Sequence, residues 1–230
     1  NSESQETIDL LMAKKIHAND KHEKQIRVFS DIKKQKDSLD KWAIEEQRKT
    51  IYADKPANQR LQFTDGRNKD RIIEIGLQEF NKLIPESFFN GLSNSIDVSE
   101  SSYDQFNYAT IGKERSWFNP GMDRVYFGTS NDSRTVIHEF VHWLEFKNTA
   151  LNDKAVKYLD SRTVGESEVR LDSIYPNSNY GTKETAKIDK FDHPYMGKSY
   201  QQRIGRTTEI LTMGIDGIWS NPKKFLDTDS

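Results

Sequence analysis

Nine consecutive residues, Val136-Ile137-His138-Glu139-Phe140-Val141-His142-Trp143-Leu144, constrain this chain more than any other stretch. Val136, Ile137, Phe140, Val141 and Leu144 recur at the three- and four-residue steps of a helix with one buried face. The same spacing puts His138 and His142 on one face, a turn apart. Two imidazoles so placed can converge on one zinc ion at about 2.0–2.1 Å each. Glu139 projects beside them and can hold and deprotonate a zinc-bound water without ligating the metal. The context agrees with a helix. Arg124-Val125-Tyr126-Phe127-Gly128 reads as a compact strand just upstream, and residues 129–133 supply side chains suited to an N-cap. The helix should run to about Lys147.

A tetrahedral catalytic site needs a third protein ligand. One zincin class takes it from a histidine six residues after the second, with glycine at plus three; here those positions are Asn148 and Glu145, so that class is rejected. A downstream acid is the main option. Glu209 lies among apolar residues in a helix expected over about 199–219, where an unpaired carboxylate would be costly and coordination would offset the cost. Asp216, His193, Glu166 and Glu168 are rival ligands, and an ion pair of Glu209 with Arg203 or Arg206 is the structural alternative. Attack on an amide also needs a donor for the developing oxyanion. Tyr200 is the first candidate, with His193 and Tyr195 close by in the chain.

The rest of the chain supports a modest core. Only 34% of residues are hydrophobic and 30% are charged, against roughly 45–50% apolar and about 25% charged in an average domain. Residues 1–60 hold 13 Lys/Arg, 11 Asp/Glu and no glycine, with sparse apolar residues at helical spacing. They read as a charged helical arm, one or two long helices, that docks by its apolar side or binds a protein partner. Pro56 and the polar run to Asp70 mark a boundary. Residues 70–83 read as a helix, 91–123 as loop and short strand, 151–161 as a helix and 165–190 as a hairpin or long loop. The expectation is therefore an α+β protein: a helical arm over 1–60, then a mainly helical domain over 61–230 with a small, mostly antiparallel sheet.

With these motifs in place, the chain resembles the zincin metallopeptidases, of the branch whose third ligand is glutamate. The segment Lys190-Phe191-Asp192-His193-Pro194-Tyr195-Met196-Gly197-Lys198, together with Thr208-Glu209-Ile210-Leu211-Thr212-Met213-Gly214, is also similar to metallopeptidase-like domains of phage minor head and prophage proteins. The resemblance implies zinc at His138, His142 and Glu209, Glu139 as general base, and peptide-bond hydrolysis. It also implies that residues 124–128 lie near an extended substrate, which zincins often pair with an exposed strand edge.

Other classes fall away. Without cysteine there is no disulfide scaffold, thiolate site or cysteine nucleophile. The net charge of −2 offers no general attraction to nucleic acid or anionic membrane, and no apolar run is long enough for a membrane span. A cytoplasmic or virion-associated setting fits, and a secreted one is compatible. A zinc endopeptidase acting on protein or peptide is the expected function. The alternatives are an assembly protein with a non-catalytic zinc site, and a toxin or effector protease with the same catalytic residues.

Overall fold

The first helix follows from what its sequence lacks. No glycine or proline interrupts the chain before Pro56, and α1 runs unbroken from Ser2 to Tyr52. The computed structural model describes residues 2–52, 62–63, 71–92, 95–100, 116–128, 132–176, 180–202 and 205–229. The chain divides into two compact units, residues 1–46 and 47–230. The first unit is α1 alone. Ile26, Phe29, Ile32, Leu39 and Trp42 are exposed along it, and the pairs Glu23–Arg27 and Lys36–Asp40 span single turns at 3.8 and 3.2 Å. Such exposed pairs contribute little to stability.

The second unit is α+β: mainly helical, with small sheets. After the last residues of α1 come β1 (Gln62–Phe63), α2 (Arg71–Leu83), β2 (Ser95–Glu100), β3 (Trp117–Asn119) and β4 (Arg124–Phe127). Next are α3 (Ser133–Lys147), α4 (Thr149–Arg162), β5 (Val169–Arg170), α5 (Leu171–Ile174) and β6 (Thr185–Ala186). The chain closes with β7 (Ser199–Gln202), β8 (Gly205–Thr208), α6 (Ile210–Ser220) and α7 (Pro222–Asp229). The β5–β6 and β7–β8 sheets are antiparallel pairs. The four-stranded sheet is mixed, in the order β1-β2-β4-β3. In it β1, β2 and β4 are parallel, and β3 runs antiparallel to β4.

Residues 124–127 are not a free edge: β4 is paired by β2 on one side and β3 on the other. Among the described residues the open edge beside β4 belongs to β3. Most of the boundary expected between Pro56 and Asp70 lies outside the described residues, as do residues 101–115 of the predicted loop region.

The core forms where α2 and α3 cover the sheet. Phe140 of α3 meets Phe80 of α2 and Phe127 of β4, each at 5.6 Å between ring centroids. Phe80 in turn meets Phe89 edge-on at 5.9 Å. Val125, Val136, Val141, Trp143 and Leu144 complete this buried layer. The helices approach so closely at Gly76 that an added Cβ would overlap the Val136 side chain, which is stiff and fully buried. Gly76→Ala should therefore destabilise by about 1–3 kcal/mol, despite alanine's better helix propensity. Urea unfolding would read this as a lower midpoint at unchanged slope.

Helix α3 begins where a cap is available: Asp132 accepts a hydrogen bond from the Thr135 backbone N–H at 2.7 Å. The C-terminal region departs from the sequence expectation. Residues 199–208 form the β7–β8 hairpin, and the helix starts only at Ile210. β-Branched Thr207 and Thr208 favour strand, and Gly205 adopts φ 129°, a conformation that breaks a helix. Pro222 opens α7 as its first residue, where its missing N–H costs nothing.

Candidate metal centre

Helix α3 delivers both histidines half-buried, with ring centroids 4.9 Å apart and nearly perpendicular planes. Glu209 comes from the turn between β8 and α6. Its backbone sits at φ −95°, ψ 5°, the bridge region that many active-site residues occupy. Although it holds the N-cap position of α6, its side chain caps nothing. The carboxylate points instead to the histidines: Oε2 lies 3.4 Å from His138 Nε2 and 3.3 Å from His142 Nε2. The three ligand atoms all fall within 4.8 Å of one another, the one such group among the described residues.

These distances fit a metal. Donors bound at about 2.0–2.1 Å in a tetrahedron lie about 3.3–3.4 Å apart, and that is the separation seen on both Glu209 edges. Two imidazole nitrogens and one carboxylate oxygen are also a donor set that zinc accepts. Glu209 is 0% exposed, and among the described residues no lysine or arginine pairs with it. So the ion pair with Arg203 or Arg206 is not the one seen: Arg206 pairs with Asp160 at 2.6 Å, and Arg203 lies outside the described residues. Of the rival ligands, Asp216 pairs with Arg134, Glu166 accepts the Asp189 backbone N–H and Glu168 accepts the Thr185 hydroxyl.

The Glu209 carboxylate is fixed from several sides. Thr212 Oγ1 donates to Oε2 at 2.7 Å, and the Tyr200 hydroxyl donates to Oε1. Behind Tyr200 the bonds continue through the Tyr195 hydroxyl at 3.0 Å to Lys198 Nζ at 3.3 Å. Lys198 is buried and pairs with Glu184 at 2.5 Å. The backbone is fastened as well. Glu145 Oε1 accepts both the N–H and the hydroxyl of Thr208 at 3.1 Å, and the Glu209 N–H donates to the Lys198 carbonyl at 3.0 Å. Gly197 precedes that carbonyl because a Cβ there would strike the backbone of Lys187.

The expected site residues are therefore placed as follows. His138, His142 and Glu209 converge. Glu139 is 7% exposed beside them, near enough for its charge to act on His142. Tyr200 touches the site, but its hydroxyl donates to Glu209. His193 is not among the converging donors; it stacks on Tyr175 at 5.3 Å and feels the charges of Arg134 and Asp216. Sequence reasoning missed Glu145, Thr208 and Thr212 as supports of the third ligand. Only Thr212, one turn after Glu209, carried a local signal.

The electrostatics tie the three ligands together. Burial works against a charge on His142, but the Glu209 carboxylate outweighs it and pushes the imidazole up to about 9. Burial also opposes ionisation of Glu209, yet the two histidines hold it well below the usual carboxylate range. Glu145 is pushed up to about 7, mainly by burial. Tyr200 is pushed up by burial and by the Glu209 charge, so its hydroxyl stays protonated as a donor.

Two predictions follow from this arrangement. Without metal, the raised His142 stabilises the fold fully below pH ~6.5, and that stability is lost as pH rises through about 9. The lowered Glu209 contributes above pH ~4.3 and loses its share as pH falls through its folded value. A metal must displace the His142 proton, so its affinity rises by up to tenfold per pH unit until about 9. Thermal melts should show the gap between metal-free and zinc-loaded protein widening from pH 6.5 to 9. Second, Tyr200→Phe removes the donor to Glu209 Oε1 and should lower zinc affinity about 10- to 100-fold in a chelator competition.

No protein-family model matches this chain, and neither the curated proteins nor the solved structures provide a significant match to it.

Proposed function

We propose that this chain is a zinc-dependent endopeptidase. The observation that carries the reading is the convergence of His138, His142 and Glu209 within 4.8 Å, with Glu209 Oε2 at 3.4 and 3.3 Å from the two imidazole Nε2 atoms and Glu139 next to the first of them in the chain. Zinc bound there would supply a Lewis acid that polarises a peptide carbonyl and acidifies water.

The protein's own residues supply the rest. The Glu139 carboxylate takes a proton from the attacking water and returns it to the leaving nitrogen. Its burial between apolar turns of α3 keeps that carboxylate in a water-poor setting, where its interactions are stronger than in bulk solvent. Thr212, Tyr200 and the Glu145–Thr208 contact hold the third ligand against rotation, as outer partners of metal ligands generally do. The open edge of β3 offers backbone groups to an extended chain. The stacked rings of Trp117 and Tyr126, 4.6 Å apart, line the adjoining face.

The test is incubation of the zinc-loaded chain with a complex peptide pool, read by mass spectrometry. New termini should appear and should vanish with a chelator. A pool left intact at full zinc occupancy would contradict the proposal.

A further inference from the structure

Arg134 and His193, close enough for the charge of one to act on the other, carry hydrogen-bond donors that nothing among the described residues accepts. Arg134 lies in the first turn of α3, four residues before His138, so it leaves the helix on the same face. Its Nε donates to both carboxylate oxygens of Asp216, at 2.6 and 2.7 Å. Asp216 is buried on α6 and is also bonded by Ser220 Oγ at 3.3 Å. His142 faces Glu209, and Arg134 faces Asp216 seven residues further along. The two helices thus run antiparallel, and the guanidinium sits along the same seam as the metal ligands.

The clamp occupies Nε alone. Nη1 and Nη2 make no hydrogen bond among the described residues, and the side chain is 53% exposed. His193 adds a second donor. Its Nδ1 accepts the Tyr195 N–H at 3.1 Å, which places the ring proton on Nε2. Burial first, then the Arg134 cation, keeps that ring neutral. The stack on Tyr175 fixes its plane.

We propose that Arg134, with His193 beside it, forms a subsite for a carboxylate of the substrate, so that cleavage favours a peptide with an acidic group near the scissile bond. The subsite rests on the hydrolase reading above. A guanidinium offers its two Nη groups as a fork that matches a carboxylate. Here Asp216 holds the fork in place before substrate arrives, which reduces the entropy lost on binding. An aspartate or glutamate side chain and a free peptide C-terminus would present the same chemistry.

The experiment uses the zinc-loaded full chain and a peptide it cleaves, resynthesised with glutamate or glutamine at each position flanking the cut, and with a C-terminal acid or amide close after it. For wild type, kcat/KM should fall about 10- to 100-fold when the preferred acid becomes its amide. The pair that shows the fall identifies the side chain or the terminus as the source. Arg134→Gln should lose the discrimination, its ratio of kcat/KM between acid and amide peptides falling to about one. Arg134→Lys, which keeps the charge without the fork, should retain part of it, and it serves where the glutamine variant does not fold. If Arg134 only ties α3 to α6, its variants melt earlier but discriminate as wild type does, and the subsite is overturned. Cleavage by wild type that is indifferent to acidic groups also overturns the subsite and leaves the hydrolase reading intact. No cleavage at all at full zinc loading overturns both.

Discussion

A Glu139→Gln chain carrying one equivalent of zinc should hydrolyse peptides about 100- to 10,000-fold more slowly than wild type. Glutamine keeps the shape of the side chain, which is packed on α3 and almost fully buried, so the fold should persist. It cannot take up a proton. Glu139 is not among the three residues whose donor atoms converge, so zinc content should be unchanged. The loss should fall on kcat, with KM little altered, because the missing event belongs to the transition state. One side effect is expected. Glu139 is among the charges that raise His142, so the metal-free variant should titrate that histidine at lower pH. Equal rates at equal zinc loading would show that Glu139 is not the base.

The second large effect concerns the third ligand. Structural zinc sites contribute about 10–16 kcal/mol, or about 3 kcal/mol per ligand, so Glu209→Ala should weaken zinc binding about a hundredfold to a thousandfold. That variant also leaves the Tyr200 and Thr212 hydroxyls facing an empty space in a buried site, which would lower stability independently. Glu209→Gln separates the two effects. It preserves volume and an oxygen acceptor but removes the charge that raises His142. Its metal-free form should melt close to wild type near pH 9, where the His142–Glu209 interaction is already weakened, while its zinc affinity should remain far below that of wild type. Isothermal titration at pH 7.5 would read the affinities. Full affinity in the glutamine variant would remove Glu209 from the metal set.

How much of this was legible in the sequence depends on range. Helix α3 was legible because its apolar residues repeat with the helical period and its histidines share that period. Glu209 was legible by a different argument: a carboxylate between apolar neighbours needs a partner, and the structure shows the two imidazoles in that place. The hairpin over 199–208 was not. Its short strands mix Tyr, Gln, Arg and Thr, and no apolar alternation marks a face. Consequently Glu209 was expected inside a helix and instead lies at the turn entering one. The supports of the site were illegible for a simpler reason. Glu145 reaches Thr208 across 63 residues and Arg134 reaches Asp216 across 82, and neither pair has a local pattern. The paired state of β4 was hidden likewise: β2 alternates Ile96 and Val98 with polar residues, but nothing in that pattern names β4 as its partner. Among the described residues no helix is long and apolar enough to cross a membrane, in line with the composition.

The most direct test is elemental analysis of the purified chain after zinc loading and exhaustive dialysis, beside His138→Ala treated identically. The account predicts about one zinc per wild-type chain, and essentially none in a variant whose circular dichroism remains helical. Zinc retained in full by His138→Ala, or absent from wild type, would contradict it.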